Sequence, residues 1–277
     1  MESLNWTWKS RDGLDMSAFC WSPAVPKAVV VLVHGHGEHV KRYQHVAATF
    51  TELGYVFVGY DLRGHGKSSG PRGHTPNYEA LMNDISDFIA DAKMKYPGLP
   101  VFLYGHSMGG NQVINYALRR PSGLSGVIAT GPWLRLAFDP PAVQLMAAKV
   151  LDNILPAFSL SSGLDQSALS RDGEVVQKYA ADPLVHDKIS ARLYNEMYAN
   201  GLWALDNAAK LELPLLLMHG SADRLTSAPA SQEFARRADK FIQIRIWDGL
   251  FHEIHNEPEK AEVMGVMLKW LDEVVAA

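Results

Sequence analysis

An apolar run, Val101-Phe102-Leu103-Tyr104, leads directly into Gly105-His106-Ser107-Met108-Gly109, and a helix-forming run follows over 111–118. This order of strand, tight turn and helix constrains the fold more than any other stretch. A strand without polar alternation is buried on both faces, as in a parallel sheet covered by helices. A serine hydroxyl is a weak nucleophile, so it must be lifted from the backbone to meet both a base and a substrate. The pattern G-x-S-x-G does this. Small residues two before and two after Ser107 let strand and helix close around a strained bend. The helix N-terminus behind Ser107 favours developing negative charge. The pentapeptide alone could be an incidental glycine-rich turn. Between a buried strand and a helix it reads as a nucleophile elbow with Ser107 at its apex.

The rest of the chain alternates strands and helices. Residues 5–10 and 14–22 predict a hairpin around Arg11-Asp12-Gly13, with Trp6, Trp8, Phe19 and Trp21 alternating with smaller or polar residues. Residues 28–34, 55–60, 124–130, 215–219 and 241–247 predict further strands, and 42–53, 78–94 and 261–275 predict helices. The fold class is therefore α/β: a mostly parallel central sheet with helices on both faces. With 277 residues, 47% of them hydrophobic, the chain can bury one sizeable core with an insertion. A net charge of -4 gives no electrostatic reason to expect nucleic acid as a partner. The single Cys20 lies in an apolar run, excludes an internal disulfide and reads as a buried structural thiol. The start, Met1-Glu2-Ser3-Leu4-Asn5, lacks a basic n-region and an apolar h-region, and no run is long enough to span a bilayer, so the expectation is a cytoplasmic protein.

After the 28–34 strand comes His34-Gly35-His36-Gly37-Glu38-His39. Its spacing permits a metal reading on His34, His36 and His39. That reading needs further ligands and leaves the elbow unexplained. A glycine-rich loop in this position more economically supplies one of two oxyanion donors, from the backbone of His36, the other being the N–H of Met108. No metal and no cofactor is expected. Gly66-Lys67-Ser68 resembles the end of a phosphate loop, but the first glycine of that motif is missing and no helix clearly follows.

On a sheet carrying such an elbow the acid and the base follow the serine in chain order. Of the eleven histidines, His252 lies in the loop after the last predicted strand and is the base; His255 is its nearest rival and suits a wall position. Asp223, just past the 215–219 strand, is the acid. Asp248 is too close to His252 in sequence, and Asp206 falls in the inserted segment. Ser107, Asp223 and His252 then form a charge-stabilised triad for acyl transfer.

About 80 residues separate the strands at 124–130 and 215–219, where a simple crossover needs about 30. Residues 1–132 and 210–277 are therefore expected to form the core, and 133–209 an inserted helical cap that includes the helix returning to the sheet. Over 142–155, Val143, Met146, Ala147, Val150, Leu151 and Ile154 form an apolar stripe. Gln144, Lys149, Asp152 and Asn153 lie opposite, with Leu145 among them. Two readings stay open: a helix packed on the body with one exposed leucine, or a lid over an apolar tunnel that touches a lipid surface.

These residues resemble the α/β-hydrolase superfamily and, within it, the monoglyceride lipase family, over nearly the whole chain. His34 to Tyr43 resembles that family's H-G-x-G-E-H-x-x-R-Y, residues 61–68 its D-x-x-G-H-G-x-S, and Gly105 to Gly110 its G-H-S-M-G-G. The inserted segments Ala147-Ala148-Lys149-Val150-Leu151 and Tyr179-Ala180-Ala181-Asp182-Pro183-Leu184 are similar too, as are Gly220 to Leu225 and the spacing of His252 and His255. The resemblance implies hydrolysis of monoacylglycerols to fatty acid and glycerol, a small amphiphilic ester as substrate, and a polar glycerol pocket lined by Glu38, Arg42, His106, Tyr179 and His255. A lysophospholipase or general carboxylesterase is the alternative. His36 departs from the pattern, since the family often has a small residue there.

Overall fold

The computed structural model describes residues 2–277; Met1, the first residue of the start read above and of the expected core, lies outside the described residues, as does the side chain of Glu2. Eight strands form one sheet. They are β1 (Glu2–Lys9), β2 (Asp15–Ser22), β3 (Ala28–Val33), β4 (Tyr55–Tyr60), β5 (Val101–His106), β6 (Gly126–Thr130), β9 (Leu215–Gly220) and β10 (Ile242–Trp247); two short strands between β6 and β9, β7 (Ser159–Ser161) and β8 (Lys188–Ser190), pair with each other outside it. The order is β1-β2-β4-β3-β5-β6-β9-β10. β1 and β2 form the expected hairpin and β2 joins β4 antiparallel. Every other pairing in this sheet is parallel.

The parallel strands explain their own composition. In β3, β4, β5, β6 and β9 every residue is buried, so both faces must be apolar. Val29, Val31 and Val33 point into one core with α2 (Tyr78–Lys95), α3 (Met108–Arg119), α6 (Ala191–Asp206) and α7 (Ala228–Ala238). Ala28, Val30 and Leu32 point into the other, with α1 (Gln44–Glu52) and α8 (Lys260–Ala276). Side-chain alternation with period two distributes one valine-rich run between two helical layers.

Two helix starts differ from those expected. The helix expected from residue 42 begins with a 3-10 turn, Val40–Tyr43, before α1. The elbow helix starts at Met108, immediately after Ser107, rather than at 111.

Between β6 and β9 lie α4 (Ala142–Ile154), β7, α5 (Gly173–Ala181), β8 and α6. The returning helix α6 packs on α3, with Leu193, Met197, Ala204 and Leu205 in the main core. α4 is different. None of its residues is buried, and Val143, Met146, Val150 and Ile154 are exposed. Of the two readings above, a stripe packed on the body fails for these four residues. Asp152 is ion-paired with Arg192 of α6, and Asn195 donates to the Ala148 carbonyl at 3.1 Å. These polar anchors turn the Asp152 edge inward and Val143, Met146, Val150 and Ile154 outward, while Ala147 and Leu151 of the same stripe line a cavity beneath, and Leu145 is half-buried rather than the exposed exception.

Candidate active site

Ser107 sits at φ 54° and ψ -114° between β5 and α3. This region is nearly closed to side-chain-bearing residues and stores strain. The glycines are needed for approach: a Cβ on Gly105 would stand 2.4 Å from the Gly109 carbonyl oxygen, and one on Gly109 1.9 Å from that of Val33. Strand and helix can therefore meet around the bend only with bare backbone at both positions. Met108 opens α3, where the first N–H groups have no intrahelical acceptor.

The loops after β9 and β10 bring Asp223 and His252 together. His252 Nδ1 lies 2.7 Å from Asp223 Oδ2, with both side chains essentially excluded from solvent. The rivals lie elsewhere: Asp248 is exposed beside Ser221, and Asp206 pairs with Arg237. Asp223 Oδ1 accepts the N–H of Leu225 at 2.8 Å and of Thr226 at 3.0 Å. Burial opposes ionisation of Asp223, but the adjacent His252 and the hydrogen bonds from His219 and His252 hold its carboxyl well below the usual carboxylate range. Burial likewise opposes a charged His252, yet the Asp223 carboxylate prevails and raises the imidazole above its ordinary value. His219 and Thr226, which also reach Asp223, were not singled out from the sequence. The available signal was His219 at a strand end, four residues before an aspartate.

Ser107, His252 and His36 line one cavity of about 620 Å³, walled largely by apolar side chains including Trp133, Leu136, Leu151 and Leu225. Its volume is in the range that encloses a small ligand. A second cavity of about 250 Å³ shares His36, Ser162 and Leu164 with it and is lined by Tyr179, Asp182, His186 and Asp187.

The other expected pocket residues have a different placement. Glu38, His106 and His255 are buried, Arg42 nearly so, and none of the four lines either cavity. Arg42 bridges Glu38 and Glu253, with Nη1 2.5 Å from Glu38 Oε2 and 2.7 Å from Glu253 Oε1, and stacks over Tyr179. Burial with two carboxylates around one guanidinium splits the acids. Burial and the Glu253 charge raise Glu38 against the pull of Arg42. Glu253 goes down despite burial, because the bidentate Arg42 holds it. His106 Nδ1 faces the Thr130 carbonyl at 3.1 Å, and its ring lies 4.7 Å from that of His252. Glu253, next to the expected base, was not anticipated from the sequence.

The three histidines of the early loop diverge. His34 Nε2 accepts the Leu62 N–H at 2.9 Å, His39 pairs with Asp182, and His36 packs edge-on to His65 and His186. Among the described residues no three His, Cys, Asp or Glu side chains converge as a metal-holding group.

A parallel sheet with this elbow, and with an aspartate–histidine pair on the loops after its last two strands, defines a serine hydrolase of the α/β-hydrolase fold. The family model described as "Serine aminopeptidase, S33" matches residues 24–259. The chain is 37% identical to "Monoacylglycerol lipase" of Mycolicibacterium smegmatis, over 91% of this chain and 90% of that one. It is 36% identical to an uncharacterized abhydrolase domain-containing protein of Dictyostelium discoideum, over 93% of this chain but only 28% of that longer protein. The solved structure of Paleococcus ferrophilus monoacylglycerol lipase superposes with a TM-score of 0.84 at 35% identity, covering 100% of this chain and 99% of that one. The chain belongs to the monoglyceride lipase family, within the serine aminopeptidase S33 group of α/β-hydrolases. It is a carboxylic ester hydrolase. No helix among the described residues is long and apolar enough to cross a membrane.

Proposed function

We propose that the protein hydrolyses monoacylglycerols to fatty acid and glycerol through an acyl-enzyme on Ser107. The observation that carries this reading is the juxtaposition of Ser107 and the Asp223-held His252 on a single, largely apolar cavity of about 620 Å³. His252 Nε2 takes the hydroxyl proton as Ser107 Oγ attacks the ester carbonyl carbon. The backbone N–H groups of His36 and Met108 receive the oxyanion. The ester C–O bond then breaks, and His252 returns the proton to the leaving alcohol oxygen. A water, deprotonated by His252, repeats the attack and frees the acid. Asp223 holds His252 in its Nδ1–H tautomer and stabilises the imidazolium.

The acyl chain occupies the large cavity and the headgroup lies toward the smaller one beside His36 and Tyr179. Glu38, Arg42, His106 and His255 form the buried polar wall behind it. The charged side chains lining the two cavities are Asp165, Arg224, Asp182 and Asp187, and Arg224 is paired with Asp165. That balance suits a neutral glycerol better than a phosphate, which ranks lysophospholipid second. Residues 133–209 act as the cap over this site on a core of 1–132 and 210–277. The exposed apolar line of α4 supports transient docking of the cap on lipid surfaces by a cytoplasmic, peripherally associated enzyme.

A panel of monoacylglycerols, lysophosphatidylcholine and short acyl esters, run on the wild type and Ser107→Ala, tests the assignment. Monoacylglycerol turnover should dominate and vanish in the variant. Retained turnover in Ser107→Ala removes the nucleophile, and preference for lysophosphatidylcholine removes the substrate.

A further inference from the structure

The Asp223 carboxylate serves two imidazoles. Its Oδ2 lies 2.7 Å from His252 Nδ1 and 3.0 Å from His219 Nε2. Oδ1 takes the two backbone N–H groups of Leu225 and Thr226. A carboxylate has about four lone-pair positions, and four N–H donors fill them. The Thr226 hydroxyl, 2.9 Å from Oδ2, also lies 3.0 Å from the Gly131 carbonyl and can spend its single proton there. On the far side of the ring, His219 Nδ1 is 2.8 Å from Ser231 Oγ. His219, Ser231 and the Asp223 side chain have no solvent exposure. For His219 to donate to Asp223, its Nδ1 must accept the Ser231 hydroxyl proton. The arrangement is self-consistent in one tautomer only.

Resting on the triad reading above, we propose that His219 is a positioning residue for the ester hydrolysis: its Nε2–H, locked by Ser231, fixes the rotation of the Asp223 carboxylate and restrains its basicity toward His252. A carboxylate that rotates freely about χ2 offers His252 a poorly directed acceptor, and small misplacements at the acid propagate to the attacking hydroxyl. Sharing Oδ2 also withdraws charge from the oxygen facing His252, which keeps the proton on the imidazolium rather than on Asp223. The other charged or titratable groups around His252 are Glu253, Glu38, His106 and His255, and none of them is hydrogen-bonded to the Asp223 carboxylate.

The test uses the full chain, a p-nitrophenyl ester and three variants. His219→Leu removes the donor. His219→Gln restores an N–H at the same reach. Ser231→Ala keeps the ring but releases its tautomer. His219→Leu should lower kcat by about 10- to 100-fold, with KM little changed. The acid limb of its kcat/KM–pH profile should move up by about half a unit, because the unshared Oδ2 stabilises the imidazolium more strongly. His219→Gln should recover most of kcat and return the limb. Ser231→Ala should move both readouts in the direction of His219→Leu, by less, and it decides the matter if His219→Leu does not fold. The proposal is overturned if kcat and the acid limb stay at wild-type values in the folded variants, or if Gln fails to rescue a folded His219→Leu. Ser107→Ala, run alongside, separates the two levels: its retained activity defeats the triad itself, whereas its inactivity together with an unaffected His219→Leu defeats only the role of His219.

Discussion

Glu38 Oε1 accepts the backbone N–H of Gly35 at 2.6 Å, and the same oxygen accepts the Tyr43 hydroxyl at 2.7 Å. A side chain read from sequence as part of a substrate pocket therefore holds the loop that carries the His36 N–H. Glu38→Gln keeps a carbonyl oxygen for Gly35 and Tyr43 but turns its amide N–H groups toward Arg42 Nη1, so its stability should fall between those of the wild type and Glu38→Ala. Glu38→Ala leaves two buried donors unpartnered and should cost about 2 kcal/mol of stability. Arg42 stays paired through Glu253, so no buried cation is stranded. The looser loop should lower kcat about tenfold with KM nearly unchanged, because the oxyanion contact is made chiefly in the transition state. Thermal melts and steady-state kinetics of both variants measure this; equal kcat in Glu38→Ala and wild type would contradict it.

The parts of this site that were legible in the sequence are those set by local rules. Buried strands announce themselves by unbroken apolar runs such as 28–33, and the elbow by glycines that the strand–helix approach requires. Chain order and strand ends then led to Asp223 and His252, which meet in the structure. What was not legible depends on contacts between distant segments. Whether α4 faces inward or outward is decided by Asp152 meeting Arg192, forty positions away, and no helical wheel contains that information. Glu253 gains its meaning only from Arg42, and His219 only from the way the 220–226 loop curls back on the end of its own strand.

The strain at Ser107 separates stability from activity. A residue held at φ 54° and ψ -114° costs about 1–3 kcal/mol unless it is glycine. Ser107→Gly removes that strain but adds unfolded-state entropy of up to about 1 kcal/mol. The net gain should be about 1 kcal/mol, a rise in Tm of about 2 °C for a chain of this size. Ser107→Ala keeps its Cβ and should melt with the wild type, while both variants lose ester hydrolysis. A Ser107→Gly protein that melts lower than Ser107→Ala would show that the turn is not strained.

Buried neutral histidines add to the acid sensitivity of the fold. Burial lowers His34 and His255 to about 3, whereas in the unfolded chain they take up protons near 6.5. Between those values the unfolded state binds more protons, so stability is lost as the pH falls through this window. Each such group contributes about 1.4 kcal/mol per pH unit. His255 is the one to replace, since both its ring nitrogens are buried without partners and its ring stacks on Tyr43 at 4.8 Å. His255→Phe keeps the stacking and removes the proton site. Its stability relative to wild type, from urea titrations at pH 8, 6 and 5, should improve with each step below about 6.5. A difference that does not change with pH would assign the acid sensitivity elsewhere.

The outward line of α4 gives the last prediction. Val143, Met146, Val150 and Ile154 are each more than half exposed, at 72%, 68%, 57% and 68%. Phe138, Phe158 and Leu160, which line the large cavity, are exposed too. An apolar line of this length is unfavourable in water and favourable at the acyl–headgroup boundary of a bilayer. Because α4 is tied to α6 through its polar edge, changes on the outer line should leave the fold intact. Replacing Met146, Val150 and Ile154 with glutamine removes about 1 kcal/mol of insertion energy per residue, and so about 100-fold in partitioning. Sedimentation with phosphatidylcholine vesicles should show that loss, and turnover of monoacylglycerol presented in the same vesicles should fall with it. Turnover of a water-soluble ester and the Tm should not move. If the triple variant sediments with vesicles as the wild type does, the line serves some other surface and substrate reaches the cavity from solution.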